Sequence, residues 1–130
     1  YGYWTDDTSM HSLLSKYGSD YPANVFDSNS LLYEPLNNYK DYLVNTLGKS
    51  SVGVKLITYE DLKDLGCGDG FTCKNSAPSW IYDIYYWTAS AYDNHNIYAI
   101  SSYGYFSTKE FHYSDSLGLR PVITIKKSEL

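Results

Sequence analysis

Basic residues are few in this chain of 130 residues: ten Lys and Arg stand against fifteen Asp and Glu, for a formal net charge of −5. The longest basic cluster is Lys126-Lys127. The chain therefore lacks the electrostatic footprint that holds a phosphate backbone or an anionic membrane, and nucleic acid is not expected as a partner. Long hydrophobic runs are missing as well, since no segment approaches the roughly 18 consecutive apolar residues of a membrane span. The chain opens at Tyr1 rather than Met, so membrane contact is expected only through a signal or anchor segment upstream of it. Catalytic signatures are equally scarce. There is no P-loop, no Rossmann glycine pattern and no zinc-protease helix. His11, His95 and His112 are scattered, and Ser and Asp are so frequent that a triad imagined among them carries no information. His95 with Asp93, or His112 with Asp115, comes nearest to an acid/base or metal pair, but polar loop residues in water are the simpler reading. No catalytic residue, no metal site and no cofactor is expected, and the chain reads as a binding protein rather than an enzyme.

Cysteine occurs only twice, at Cys67 and Cys73, bracketing Gly68, Asp69, Gly70, Phe71 and Thr72. Glycine there allows a tight return of the chain, so a disulfide is sterically reasonable. A metal pair or two idle thiols are the alternatives. Tetrahedral zinc wants four ligands, and neither a His nor a third Cys lies within local reach. The disulfide implies an oxidising compartment, outside the cell or at its surface.

What the chain has in quantity is tyrosine. Aromatic residues make up 18% of it, as sixteen Tyr against four Phe and three Trp. A core does not require so many phenols. Tyr offers a large rigid face and a hydroxyl at little entropic cost, which suits binding surfaces, although an AT-rich genome would raise Tyr, Asn and Ile codons without selection. Hydrophobic residues at 43% against 19% charged mark a chain that folds, and its length suits a single domain over 1–130.

Residues 1–30 are polar and rich in turn formers, with one short helix suggested around Thr8 to Tyr17 that would turn Leu13 and Leu14 inward. From Glu34, apolar residues recur at Leu36, Tyr39, Leu43 and Leu47; Pro35 suits a first helical turn and Gly48 a C-terminal cap. Val52 to Ile57 reads as a strand. Thr58, followed by Glu60 and Asp61, can cap a second helix through Leu65 that Gly66 stops. Beyond the cysteines the period becomes strand-like over Tyr85 to Ala91, Asn96 to Ile100, Gly104 to Thr108 and Leu119 to Ile125. Pro121 places firm pairing of the last strand from Val122 onward. Two short helices followed by antiparallel strands make an α+β domain, with the N-terminal segment free to pair with the C-terminal strand.

Four segments carry a family resemblance: Tyr39-Lys40-Asp41-Tyr42-Leu43, Lys55-Leu56-Ile57-Thr58-Tyr59-Glu60-Asp61-Leu62, Tyr86-Trp87-Thr88-Ala89-Ser90 and Gly118-Leu119-Arg120-Pro121-Val122. Their order resembles bacterial domains of the C-type-lectin-like fold, in particular a surface-protein family of Firmicutes, over about residues 30 to 126. The last two segments are the more specific. The resemblance implies termini paired in one sheet and an exposed ligand face on the connection between the last two signatures. Similar domains include the variable proteins of diversity-generating retroelements, in which Asn codons mutate toward Tyr, Asp, His, Ser, Ile or Thr. Residues 92–115 are dominated by those types, although residues 17–42 are also rich in Tyr, Asn, Asp and Ser. Other relatives are formylglycine-generating oxidases with a reactive cysteine pair. Cys67 and Cys73 lie earlier in the chain than that chemistry, with Lys74 alone nearby to stabilise a thiolate. Glu34-Pro35-Leu36-Asn37 superficially resembles the sugar-selecting Glu-Pro-Asn of animal lectins, but the companion Trp-Asn-Asp is missing, and calcium is not carried over.

The expected ligand-binding residues are Tyr92, Asp93, Asn94, His95, Asn96, Tyr98, Ser102, Tyr103, Tyr105, His112 and Tyr113, about half of them pointing outward because strand neighbours alternate faces. Trp4, Trp80 and Trp87 are expected to be packing anchors, and Arg120 to make a buried or semi-buried ion pair. The expected partner is a protein or glycan on another cell, a phage or another surface. The second function class is a structural subunit, a pilin-like tip or cell-envelope head whose Tyr-rich face packs on a neighbouring subunit.

Overall fold

The computed structural model describes Trp4 and residues 23–24, 26–50, 52–67, 73–93, 95–110 and 117–130. The helix suggested around Thr8 to Tyr17 lies outside them. The described chain is α+β. Strand β1 (Ala23–Asn24) precedes helix α1 (Tyr33–Asn45), strand β2 (Gly53–Leu56) and helix α2 (Tyr59–Asp64). A 3-10 turn (Ser79–Ile81), strands β3 (Tyr86–Ala91), β4 (Asn96–Ile100), β5 (Phe106–Glu110) and β6 (Pro121–Thr124), and a last 3-10 turn (Lys127–Glu129) follow. All paired strands are antiparallel, as a sheet of order β1-β3-β4-β5 and a ribbon of β2 with β6.

Local chemistry explains both helices. In α1, Leu36 and Leu43 face the core while Tyr39 is exposed; the helix ends at Asn45 with Thr46 as its cap rather than the expected Gly48, and Leu47 beyond it is exposed. Pro35 occupies the first turn, where its missing N–H has no intrahelical partner to lose. In α2, Thr58 accepts from the Asp61 backbone N–H at 3.2 Å and the Asp61 carboxylate accepts from the Thr58 N–H at 3.0 Å, a reciprocal capping box. Gly66 ends the segment at φ +98°, and a Cβ there would lie 2.6 Å from the Ser76 carbonyl oxygen.

The four-stranded sheet is covered on both faces. Trp87, Ala89 and Ala91 of β3 join Ile97 and Ala99 of β4 in a cluster with Trp4, Leu36 and Leu56. Tyr86, Tyr98, Ile100 and Phe106 join Ile57, Leu62, Ile81 and the two cysteines on the other side. Period-two alternation assigns each residue to its face. The β3–β4 register shifts between Trp87 and Ala91. A bulge interrupts the ladder, and the buried Thr88 hydroxyl satisfies groups within it by donating to the Tyr98 carbonyl at 2.8 Å and accepting from the Ser90 N–H at 3.2 Å. The Trp-Thr-Ala-Ser signature is thus one indole and one methyl for the core, the Thr88 hydroxyl for the bulge, and the Ser90 hydroxyl for the neighbouring elements, where it donates to the Asn24 side chain and accepts from the Tyr59 N–H.

The chain ends were expected to pair in one sheet, and the N-terminal side of that pairing lies outside the described residues. Among the described residues, β6 pairs along its length with β2, from Gly53 opposite Thr124 to Leu56 opposite Pro121, and β1 pairs with β3. The C-terminal turn folds onto the α1–β2 connection, where Glu129 accepts from the Ser50 N–H at 2.9 Å. Residues 1–22 apart from Trp4 lie outside the described residues. Strand β5 begins at Phe106 rather than Gly104, because Gly104 sits at φ +86° and belongs to the turn. Pro121 opens β6, the position at which a strand tolerates a residue without an N–H.

Candidate functional site

Strand β4 separates the expected ligand residues into two groups. Tyr92, Asp93, His95 and Asn96 lie at the β3–β4 end and Ser101 to Tyr105 form the β4–β5 turn at the other, with roughly 13 Å of strand between them at about 3.3 Å per residue. Asn94, His112 and Tyr113 lie outside the described residues.

At the first turn, most polar groups are used by the chain itself. The Asp93 carboxylate accepts from the backbone N–H groups of His95 and Asn96, each at 2.8 Å, and from the Asn96 side-chain amide at 3.0 Å. Asp93 and Asn96 therefore hold the hairpin together, as short Asx side chains do in turns. His95 is exposed beside them. Tyr98, expected at the ligand face, is only 7% exposed. It points inward from β4 into an aromatic cluster, with ring centroids 5.1 Å from Tyr59, 5.6 Å from Phe106 and 5.4 Å from Tyr92. Burial, reinforced by the neighbouring Tyr59 and Tyr92, pushes its hydroxyl up to about 12. Tyr92, at 42% exposed, covers the edge of that cluster.

The second turn displays its aromatics. Tyr103 is 76% exposed and Tyr105 is 49% exposed, with the exposed Ser102 beside them. The backbone that carries them is fixed. Gly104 donates to the Ser101 carbonyl at 3.0 Å, Ser101 donates to the Tyr105 carbonyl at 2.9 Å, and the Gly104 carbonyl accepts from Cys73 at 2.6 Å and Lys74 at 3.2 Å. Cys73 is in turn bonded to Cys67 in the expected disulfide, both sulfurs buried in the core. The turn that carries Tyr103 and Tyr105 is thus held by the backbone at one end of the disulfide.

The same end of the sheet holds a feature that sequence reasoning missed. A groove of about 650 Å³ opens between α2, the 3-10 turn and β6, lined in part by Trp80, Tyr86, Asp64 and Arg120. Trp80 is 55% exposed and not the expected packing anchor. Its turn follows Pro78 and buries Ile81 in its place, while Arg120 donates to the Trp80 carbonyl. Trp4 and Trp87 are fully buried, as packing anchors are. Arg120 makes the expected semi-buried ion pair with Asp83, and its guanidinium lies 5.1 Å from the centre of the Tyr86 ring. Burial pushes the Tyr86 hydroxyl up to about 12 even though Arg120 pulls it down. The signal for an exposed Trp80 was present in the sequence: it stands among Asn75, Ser76, Pro78 and Ser79 rather than in an alternating run.

Across the described residues, no three His, Cys, Asp or Glu side chains come together as metal ligands, and no helix is long and apolar enough to cross a membrane. Comparison with known proteins finds no family model, no curated protein and no solved structure that matches this chain.

Proposed function

We propose that this chain is a recognition domain of the C-type-lectin-like fold that works outside the cytoplasm, presenting the β4–β5 turn to a protein or glycan on another surface. The observation that carries the reading is the display of Tyr103 and Tyr105 on a turn anchored to a disulfide loop. Rigid phenols lose little entropy on binding, and a backbone already held in place removes much of the ordering cost that a mobile loop would add. The disulfide favours an oxidising compartment. Kinship with the retroelement variable proteins belongs to the same reading, and it makes residues 92–115 the segment expected to differ among copies. The burial of Tyr98 and the use of Asp93 and Asn96 within their own turn count against those three, and the reading centres on the exposed Ser102, Tyr103 and Tyr105. The reading assigns the domain binding rather than catalysis.

The test is an array of glycans and surface proteins probed with the intact domain, a Tyr103→Ala/Tyr105→Ala variant and a Tyr92→Ala variant. Selective binding lost in the double variant and kept in Tyr92→Ala is the expected outcome. Binding untouched by the double variant overturns the assignment of the face. No binding at all, together with self-association through the same tyrosines, replaces recognition with a structural subunit of a surface assembly.

A further inference from the structure

The groove beside Trp80 has a charge pattern that selects among ligands. Lys55 is 2.7 Å from Asp61 on the neighbouring helix. Arg120 is held by Asp83, by the Trp80 carbonyl and by the face of Tyr86. Both cations of the wall are therefore already neutralised by carboxylates of the chain. Asp64 is different. It lines the groove, is exposed, and makes no hydrogen bond or ion pair among the described residues. The groove thus carries one uncompensated negative charge in a molecule whose formal net charge is −5.

The rest of the wall is apolar. Leu65 and Val122 offer aliphatic surface, and Trp80 leaves 55% of its area to solvent. An indole face attracts a cation through its quadrupole, and aliphatic walls suit a methylene stem. The cavity volume of about 650 Å³ lies within the range of roughly 300–1,000 Å³ common for ligand sites. An anion would meet Asp64 with no unpaired cation to receive it. A neutral ligand would gain no attraction from the carboxylate. From the conjunction of Trp80, Asp64 and an otherwise neutralised wall, we infer that the groove is a binding site for an ammonium or guanidinium carried on an aliphatic stem. A lysine or arginine side chain of a partner polypeptide and a free alkyl diamine share that chemistry. This site is separate from the Tyr103 and Tyr105 turn and does not depend on what that turn binds.

Trp80 provides its own readout, because the other two tryptophans, Trp4 and Trp87, are fully buried and shielded from solvent quenchers. The intact domain is titrated with a peptide containing one central lysine, with the same peptide acetylated on that lysine, and with cadaverine, following indole emission and, independently, heat. The expected result is a saturable change with the lysine peptide or the diamine that acetylation abolishes. In Asp64→Asn, binding weakens by roughly twofold to fivefold, in the range of a lost exposed ion pair, and added salt weakens the original protein in the same direction. Response to the peptide assigns the source as a polypeptide, and response to cadaverine alone assigns it as a free amine. Asp64 is exposed, so Asp64→Asn should keep its unfolding midpoint, and a Trp80→Leu variant tests the indole separately. Equal responses to free and acetylated lysine overturn the inference, as does unaltered affinity in Asp64→Asn or the absence of any saturable signal.

Discussion

Replacing Gly104 by Ala tests the connection between the disulfide loop and the tyrosine-bearing turn. Gly104 sits at φ +86°, in the left-handed region where a side chain is strained wherever it points. Alanine there costs about 1–2 kcal/mol from the backbone alone. Space adds to it: a Cβ would stand 2.7 Å from the Lys74 Cβ and 3.1 Å from its Cα, so the two segments must part. Parting them weakens the bonds that the Gly104 carbonyl accepts from Cys73 and Lys74. At about 1 kcal/mol per hydrogen bond, the total loss comes to about 2–4 kcal/mol. For a domain of this size that is a fall in unfolding midpoint of roughly 8–15 °C. Thermal unfolding followed by circular dichroism measures it, with the disulfide intact. A Lys74→Gly background supplies the control, since it removes the contacting Cβ and should restore part of the loss but not the backbone share. A loss below about 0.5 kcal/mol for Gly104→Ala, the size of an ordinary surface change, would refute the close approach. Full recovery in the double variant would refute the contribution of the positive φ.

Two further outcomes follow from the buried bulge and the capping box. Thr88→Val keeps the shape but deprives the Tyr98 carbonyl and the Ser90 N–H of their buried partner, so denaturant unfolding should show a loss of about 1–3 kcal/mol; an unchanged midpoint means the hydroxyl does not satisfy the bulge. Partial burial opposes ionisation of Asp61, but hydrogen bonds from Lys55 and Thr58 outweigh it and hold the carboxyl below its ordinary value of 3.8. Its stabilisation is therefore complete above the unfolded value and disappears as pH falls through the lower folded one. The stability difference between the protein and Asp61→Asn should shrink in that acid window, and a difference independent of pH there would contradict the capping role.

Much of the fold is written in local chemistry. The Thr58 cap, the stop at Gly66 and the Asn96–Ile100 strand each depend on residues adjacent in sequence, and each is legible there; the last strand was read from Leu119 with pairing from Val122, one residue later than the Pro121 pairing observed. Leu36 and Leu43 were recognisable as a buried stripe by their spacing. The boundary of β5 was harder to read, because Gly104 serves either a strand or a turn until Lys74 is packed against it. Long-range pairing was read least well. The pairing of β6 with β2 was not read, because nothing in the spacing of Val54 or Ile123 names its partner.

By itself, then, the sequence determined the α+β class, the capping box of α2 and the acidic character, and made a cysteine bridge sterically reasonable, because those follow from neighbouring residues and composition. Only the tertiary structure decided which tyrosines face solvent. Tyr98 and Tyr103 are chemically identical and five residues apart. One is enclosed by Tyr59, Tyr92 and Phe106, and the other stands on a turn held from beneath by Cys73 and Lys74. Trp80 and Trp87 divide in the same way, the first on a groove and the second in the core, although the turn formers around Trp80 already marked it in the sequence. Burial depends on what distant segments bring to a side chain, and an aromatic ring suits a core and an exposed face equally well.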